Sequence, residues 1–369
     1  MGLGQGAVEG LVSAVDASFF AGRTVLVTGH TGFKGAWLCR WLALMGARVV
    51  GYALPPEGAP NLFALADIEA GCTSVFGDVR DAAAVHAVVA EHRPEIVLHL
   101  AAQALVRRSY RDPVETYATN VMGTVHVLDA CRRVGSARAV VVVTSDKCYE
   151  NREWLWGYRE DEPMGGHDPY SSSKGCAELV TAAYRRSYFG TGDTRVASAR
   201  AGNVIGGGDF AEDRLVPDIV RGAASGRPIV IRNPASTRPW QHVLEPLAGY
   251  LQLARRLVES PAGHDDGWNF GPREEDAIPA LALAEKLVAT LGRGTLEVVP
   301  PAQRGGPHEA RLLKLDTSKA RALLGWAPKL DIDRALAWTA AWYRAWLDDP
   351  TSCRAALDAQ IRQYGEFFA

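Results

Sequence analysis

The sequence predicts an α/β fold, a doubly wound parallel sheet with a smaller, mixed α/β lobe in the C-terminal part of the chain. Three observations carry this prediction. Short runs of Val, Ile and Leu alternate with longer helical stretches from residue 23 to about residue 198. Such runs, buried on both faces, are typical of a parallel sheet covered by helices, and their strict order indicates βαβ units. A glycine-rich turn also joins the first run to the first helix.

The first half of the chain supplies most of the predicted strands. They are expected at 24–28, 48–53, 73–76, 96–100 and 139–144, and the first is followed by a helix over 35–46. After about residue 202, glycines and prolines interrupt the pattern, and short strands at 228–232, 268–270 and 296–299 separate the helices. We therefore predict one domain over 20–202 and a second lobe over 203–369, with possible exchange of strands or helices between them.

The C-terminal tail from about 331 to 367 has a helical pattern. Trp338, Trp342 and Trp346 recur every four residues, which places them on one face of a helix. A stripe of this kind predicts core packing rather than a ligand site.

Composition excludes several classes of function. Forty basic and forty-two acidic side chains give a net charge of -2, whereas nucleic-acid binding requires a basic excess or stripe. The six cysteines are scattered without metal-ligand spacing, which predicts reduced thiols and no metal. The first nineteen residues contain no Lys or Arg, and no apolar run reaches about eighteen residues. We expect a cytoplasmic protein without a membrane span.

The glycine-rich turn, TGHTGFKG (28–35), has glycines at i, i+3 and i+6. Gly29 permits the tight turn, Gly32 allows a pyrophosphate to approach the backbone, and Gly35 allows close helix packing, with the helix N-terminus facing the anion. The alternative is a purely structural turn. The setting between strand and helix favours a dinucleotide site on a Rossmann-type domain, lined by Gly29, His30, Thr31, Gly32, Phe33, Lys34 and Gly35.

Residues after the next strands extend this predicted cofactor site. No acid that could bind the adenosine ribose ends the second strand, and no Arg replaces it, so the residues themselves leave NAD and NADP open. Asp78, followed by Val79, either accepts a hydrogen bond from adenine or caps a turn. Leu100, Ala101 and Ala102 suit a backbone lying against the cofactor, whereas the neighbouring His99 is expected to be a satisfied buried histidine.

Tyr170 and Lys174 form the strongest candidate site. They are spaced i, i+4, so they share one face of a predicted helix, and the Lys ammonium can lower the pKa of the phenol. A phenolate can accept the proton of a substrate alcohol. Ser145, at the end of a strand, can supply a second hydroxyl to the same substrate oxygen. The alternative is a Tyr–Lys pair that lies on the surface by chance. The glycine loop and Ser145 argue against this alternative.

These motifs resemble those of the extended short-chain dehydrogenase/reductases, and specifically the nucleotide-sugar 4,6-dehydratases, over about residues 20 to 350. The strings TSDKCYEN (144–151), GYRE (157–160), DPYSSSK (168–174) and RPWQHVLEPL (238–247) are similar to those of family members that act on CDP-glucose.

The resemblance implies a reaction of internal oxidation, elimination and reduction with bound NAD. Tyr170 would take the proton of the C4 hydroxyl, and Asp146 would be the acid for the departing C6 hydroxyl. Lys147 stands where many relatives have a Glu that is the C5 base. It would need a depressed pKa to take that role; the alternative is that it only orients or charges the site. The product would supply deoxysugars of a lipopolysaccharide O-antigen.

The resemblance also implies contacts outside the catalytic group. Thr119 and Thr144 join the expected cofactor residues. Asn203 corresponds to a family position near the diphosphate. The candidate substrate contacts are Gln103, Asn203, Arg214, Arg238, His242, His308 and Arg311. The guanidinium groups of Arg238 and Arg311 suit phosphates, whereas His242 and His308 are either substrate contacts or structural histidines.

The family usually forms homodimers through two long helices, which would be supplied here near 112–134 and 168–188. A 4-epimerase or 4-reductase would keep Tyr170 and Lys174 but would not require the acid and base at 146 and 147. The sequence is also compatible with a dehydratase that acts on another CDP-sugar. A protein that only senses cofactor would tend to lose Tyr170 or Lys174, and this chain keeps both.

Overall fold

The computed structural model describes residues 17–300 and 312–368. A parallel seven-stranded sheet in the order β11-β6-β5-β4-β1-β2-β3 dominates the fold. Its strands are β1 Thr24–Thr28, β2 Arg48–Ala53, β3 Thr73–Phe76, β4 Ile96–His99, β5 Ala139–Val143, β6 Arg195–Arg200 and β11 Gly267–Asn269. The strand order reverses between β1 and β4, and open α/β sheets bind their ligands at such a switch point, beyond the carboxyl ends of the strands.

Helices cover both faces of this sheet. They are α1 Ala17–Phe20, α2 Phe33–Leu44, α3 Leu62–Leu65, α4 Ala82–His92, α5 Val106–Arg111, α6 Pro113–Tyr117, α7 Gly123–Val134, α8 Pro169–Tyr188, α9 Leu215–Ser225, α10 Leu244–Glu259, α11 Ala280–Leu291, α12 Ile332–Asp348 and α13 Cys353–Gly365. A π-helical turn, Ala118–Met122, connects α6 to α7. One core cluster includes residues of α2, α10 and α12, and another includes residues of α4 and α7 on the opposite face.

After residue 202, the described part of the chain also contains three small sheets of two strands each. Their strands are β7 Val204–Ile205 with β10 Gln241–His242, β8 Ile229–Ile231 with β13 Leu296–Val298, and β9 Thr237–Pro239 with β12 Ala277–Pro279. Residues of these short strands, Pro239, Gln241 and Ala277, line a cavity that also contacts Asp146, just beyond the end of β5.

Two predictions about the elements need correction. The helix predicted over 35–46 is Phe33–Leu44, because Gly32 occupies the N-cap and Gly46 has a positive φ of 77°. The strand predicted over 268–270 was assigned to the second lobe, but the structure pairs Gly267–Asn269 with β6 as an edge of the main sheet. Burial of Trp268 in the main core accounts for this placement. The sheet therefore crosses the predicted boundary at 202/203, and the division into lobes stays a prediction.

The tryptophan stripe packs as expected. Trp342 is fully buried, and Trp338 and Trp346 pack against the same cluster. A Cβ atom on Gly207 would overlap the Trp342 ring, and the Gly207 carbonyl accepts a hydrogen bond of 2.9 Å from Trp37 Nε1. Glycine at 207 is therefore required by close packing.

Candidate active site

The glycine loop connects β1 to α2 as the sequence predicts. Gly29 has φ +78°, and a Cβ atom there would lie 2.8 Å from Ala101 N. A Cβ atom on Gly35 would overlap the Gly29 carbonyl. The N-cap, Gly32, offers no side chain to the first turn of α2, so its backbone N–H groups remain available for an anion. These features fit the pyrophosphate of a dinucleotide.

His30 is the exception within this loop. Its side chain is fully buried, with Nε2 2.6 Å from Ser74 Oγ, and it packs edge-on against Phe63. Burial lowers its pKa to about 4, although a backbone hydrogen bond to Tyr52 opposes this. The His30 side chain therefore supports the loop from below, and a place for this residue in the cofactor site stays a prediction.

Lys34 extends towards the catalytic groups. Burial lowers its pKa to about 7, and the positive charges of Arg214 and Lys174 add to this effect, whereas Asp146 opposes it. The sequence motif gives no sign of this neighbourhood, because Arg214 and Lys174 come from distant segments.

On the expected adenine side, Asp78 is held by Arg80. The Arg80 backbone N donates to Oδ1 at 2.8 Å and Nη2 donates to Oδ2 at 2.6 Å, so the pKa of Asp78 is lowered. Val79 is buried against Gly123. A role for either residue in binding adenine stays a prediction.

At the end of β4 the structural role predicted for His99 is confirmed, and the substrate contact predicted for Gln103 stays a prediction. His99 is buried, with Nδ1 2.7 Å from Thr28 Oγ1, and burial lowers its pKa to about 3, as expected of a structural histidine. Gln103 was predicted to contact substrate, but its amide is used internally. Its Nε2 donates to Thr116 Oγ1 at 3.0 Å, and its Oε1 accepts from Leu105 N at 2.6 Å.

The predicted catalytic residues meet beyond the carboxyl end of β5. Ser145 and Asp146 are buried, and Ser145 Oγ donates to Asp146 Oδ1 at 3.0 Å. Tyr170 lies in the first turn of α8 and is hydrogen-bonded to Ser145. Lys174 is buried one turn later, and its Nζ donates to Val143 O at 3.3 Å. Lys147 is half-buried beside them.

Burial has the largest effect on the pKa values of the pair on α8. Burial raises the pKa of Tyr170 to about 12; the hydrogen bond with Ser145 and the charge of Arg214 act in the opposite direction. Burial also lowers the pKa of Lys174 to about 8. In the chain by itself, the phenol therefore keeps its proton at neutral pH, and Arg214 is one cation that stabilises the phenolate. The effect of Lys174 on the phenol stays a prediction.

The opposite side of the cleft holds part of the predicted substrate set. Asn203 has φ +50° and its Nδ2 lies 3.4 Å from Asp146 Oδ2. A Cβ atom on Gly202 would overlap the Asp146 carboxylate. Arg214 Nη1 donates to Asp209 Oδ2 at 3.0 Å, and Arg238 Nη1 donates to Thr237 O at 2.9 Å.

Of the two alternatives for His242, the structure favours a structural histidine. It is fully buried between the rings of Trp37 and Trp338, and burial lowers its pKa to about 3. His308 and Arg311 lie outside the described residues.

A cavity of about 700 Å³ lies next to the catalytic groups, of which Asp146 is in its lining. Gly202, Trp156, Arg273 and Lys314 are also among the residues that line it. Within residues 17–300 and 312–368, no cluster of His, Cys, Asp and Glu could hold a metal ion. In the same ranges, no helix is long and apolar enough to cross a membrane.

A family model described as GDP-mannose 4,6 dehydratase matches residues 26–339. The chain belongs to this family, which confirms the resemblance found in its motifs. It is 52% identical to CDP-glucose 4,6-dehydratase of Salmonella typhimurium over 338 residues, covering 90% of this chain and 94% of that protein. It is 28% identical to dTDP-glucose 4,6-dehydratase of Xanthomonas campestris, covering 92% and 97%.

Solved structures agree on the fold. UDP-glucose 4-epimerase of Thermus thermophilus in complex with NAD superposes with a TM-score of 0.74 at 25% identity, covering 87% of this chain and 99% of that chain. A double mutant of dTDP-glucose 4,6-dehydratase from Streptomyces venezuelae, with NAD bound, gives 0.72 at 26% identity, covering 87% and 96%.

Proposed function

We propose that this chain is a hydro-lyase that converts CDP-glucose to CDP-4-keto-6-deoxyglucose with bound NAD. The observation that carries the proposal is the position of Asp146, a buried carboxyl hydrogen-bonded to Ser145, which in turn bonds Tyr170. Oxidation of an alcohol needs only Ser145, Tyr170 and Lys174. The acid beside them suits the loss of water. The relative at 52% identity supports CDP-glucose as the substrate.

The glycine loop fits NAD by the close contacts of Gly29 and Gly35 and by the uncapped start of α2. Leu100 to Ala102, Thr119, Thr144, Tyr170 and Lys174 would complete the site. When bound, NAD supplies a reversible two-electron oxidation of the sugar, so it ends each turnover as it began.

Tyr170 and Ser145 act on the C4 hydroxyl in this proposal. The phenolate oxygen of Tyr170 accepts the hydroxyl proton while Ser145 Oγ turns its one hydrogen from Asp146 Oδ1 to the same sugar oxygen. Since burial raises the pKa of Tyr170 to about 12, the cations near the phenol must stabilise its ionised form. Arg214 is such a cation.

Asp146 and Lys147 carry the elimination. Once C4 is a ketone, the hydrogen on C5 is acidic, and the uncharged Lys147 amine takes it as a proton. Asp146, in its protonated form, gives a proton to the C6 hydroxyl, which leaves as water while a C5–C6 double bond forms. Asn203 Nδ2, 3.4 Å from Asp146 Oδ2, holds the carboxyl in place.

The test is a panel of nucleotide-sugars. The full chain is incubated with NAD and, separately, with CDP-, dTDP-, UDP- and GDP-glucose, and the 4-keto-6-deoxy product is followed by its absorbance in alkali. We expect the ketone from CDP-glucose. Ketone from none of the four would contradict the proposal. UDP-galactose formed from UDP-glucose would identify an epimerase instead.

The proposal extends to a cytoplasmic homodimer that supplies deoxysugars for a lipopolysaccharide O-antigen. All six cysteines are unpaired, which suits a reducing compartment. Val114, Met122, Leu179 and Tyr188 are exposed apolar residues in or next to the two helical segments expected to pair. Sedimentation should give about twice the chain mass of 39.8 kDa. A single species of one chain mass at micromolar concentration would contradict the dimer.

A further inference from the structure

Glu178 is a buried carboxylate one helical turn beyond Lys174 on α8. Its side chain is only 4% exposed. Ionised groups are rarely buried to this extent without partners, because the loss of hydration is costly. Glu178 has three partners, and they come from the strands beside the catalytic segment rather than from its own helix.

The partners fix α8 to the carboxyl ends of β5 and β6. Thr144 Oγ1 donates a short hydrogen bond to Glu178 Oε1. Ser198 Oγ donates to Oε2 at 2.6 Å, and Arg200 Nη2 donates to the same oxygen at 2.9 Å. Thr144 immediately precedes Ser145, so the carboxylate bridges the helix of Tyr170 and Lys174 to the segment of Ser145 and Asp146.

Arg200 extends this connection. Its Nη1 donates to Tyr149 Oη at 2.6 Å and to Glu160 O at 2.9 Å. Tyr149 ends the segment that begins at Thr144, and its hydroxyl donates to Asn269 Oδ1 at 2.7 Å. Both ends of the 144–149 segment are therefore bonded to the Glu178–Arg200 pair. Such a brace can hold Ser145, Asp146 and Lys147 at fixed distances from α8.

The charge of Glu178 also acts on Lys174. Burial favours the neutral amine of Lys174, and the Glu178 carboxylate opposes this by raising its pKa. Burial would by itself raise the pKa of Glu178, but Arg200 and the hydrogen bonds bring it below its usual value. The titratable groups that interact with Lys174 include Glu178, Cys148, His99 and Lys34. Glu178 is the carboxylate among them, and Asp146 is a second carboxyl in the turn that packs against α8.

We infer that Glu178 is a positioning residue for the reaction, which braces the Ser145–Lys147 segment against α8 through its pair with Arg200 and keeps Lys174 positively charged. The inference rests on the proposed function for its assay. Glu178 does not line the 700 Å³ cavity that Asp146 lines; with Arg200 it lines a separate cavity of about 450 Å³. Its loss should therefore change catalysis more than substrate affinity.

The experiment measures kcat and KM for CDP-glucose against pH, in the NAD-loaded full chain, for Glu178→Gln and Glu178→Asp. For Glu178→Gln we expect kcat to fall about tenfold or more, with KM within about twofold, because small misplacements are costly. The alkaline limb, where Lys174 loses its proton, should move down by about one pH unit. Glu178→Asp keeps the charge and should return the limb to its wild-type position.

Asp266→Asn is the matched control, because it removes an ion pair with Arg185 on the same helix. If Glu178→Gln does not fold, the double variant Glu178→Gln/Arg200→Met leaves no unpaired buried charge, and its alkaline limb should still move down, though less far. An unmoved limb in the folded Gln variants, or an equal shift in Asp266→Asn, would overturn the inference. Wild-type chain that fails to turn over CDP-glucose would instead overturn the proposed function.

Discussion

The two walls of the active-site cleft are built in different ways. One wall consists of β5, β6 and the twenty-residue helix α8, and its polar groups, Ser145, Asp146, Tyr170 and Lys174, are all buried. The opposite wall consists of two-stranded sheets and loops that carry Asn203, Arg214 and Arg238, which are partly exposed. A rigid, buried wall suits proton transfer at fixed distances, whereas an open wall suits recognition of the nucleotide.

The largest expected effect of any change on either wall is that of Tyr170→Phe. The phenol oxygen is the proton acceptor for the C4 hydroxyl, and loss of a general base lowers the rate by roughly 10² to 10⁴. NAD binding should change little because the ring still packs. Turnover near the wild-type rate, in an assay with CDP-glucose, would contradict the assignment.

The second largest effect is expected for Asp146→Asn, which should stall the reaction after oxidation at C4. Oxidation at C4 does not need this carboxyl, whereas departure of the C6 hydroxyl does. We expect near-ultraviolet absorbance of the reduced nicotinamide to appear in a single turnover and to persist, with 4-keto-glucose on the enzyme. Release of deoxysugar product at the normal rate would remove Asp146 as the acid.

Lys147→Ala should produce a smaller and more specific defect. Exchange of the C5 hydrogen with solvent deuterium, followed by mass spectrometry, should slow because the C5 base is lost. The defects of Asp146→Asn and Lys147→Ala should not add, because both groups serve one elimination. Normal C5 exchange in Lys147→Ala would mean that the lysine only orients or charges the site.

The smallest predicted effect tests whether the two walls are independent. The Arg214 guanidinium lowers the pKa of Tyr170, so Arg214→Gln should raise that pKa. The acid limb of kcat/KM should therefore move to higher pH. Arg221→Gln, which removes an exposed cation on the neighbouring α9, is the control. Identical pH profiles for wild type and Arg214→Gln would show that the wall carrying Arg214 does not influence proton transfer at Tyr170.

A further prediction concerns the preference of the chain for NAD over NADP. We expect NAD to bind more tightly than NADP, since no Arg ends β2 to receive a 2′-phosphate. Titration of cofactor-free chain with both nucleotides measures this preference, and tighter binding of NADP would contradict it.

Local patterns explain which parts of the fold and site were predictable. Strands β1, β2 and β3 have the predicted bounds, and the i, i+4 pair Tyr170 and Lys174 meets Ser145 as expected. These features depend on neighbours in sequence, together with the general geometry of parallel sheets. They explain why the sequence could predict the wall that consists of β5, β6 and α8.

The surroundings of three other candidate residues depend on contacts between distant segments. His30, Gln103 and His242 are polar residues beside real motifs, but each is buried by partners that the motif does not contain. His242 lies between Trp37 of α2 and Trp338 of α12, for example. The nearness of Arg214 to Tyr170 is of the same kind, because only the folded chain brings α9 to the start of α8.

The seventh strand has a consequence for how the protein is made. Because β11 is encoded more than sixty residues after β6, the sheet cannot be completed on the ribosome until residue 269 has emerged. Until then β6 is an unpaired edge strand, although most of its residues are buried in the folded chain. Such an edge can pair with strands of other chains. Nascent chains that stall between residues 200 and 267 should therefore depend on chaperones more than chains released after β11.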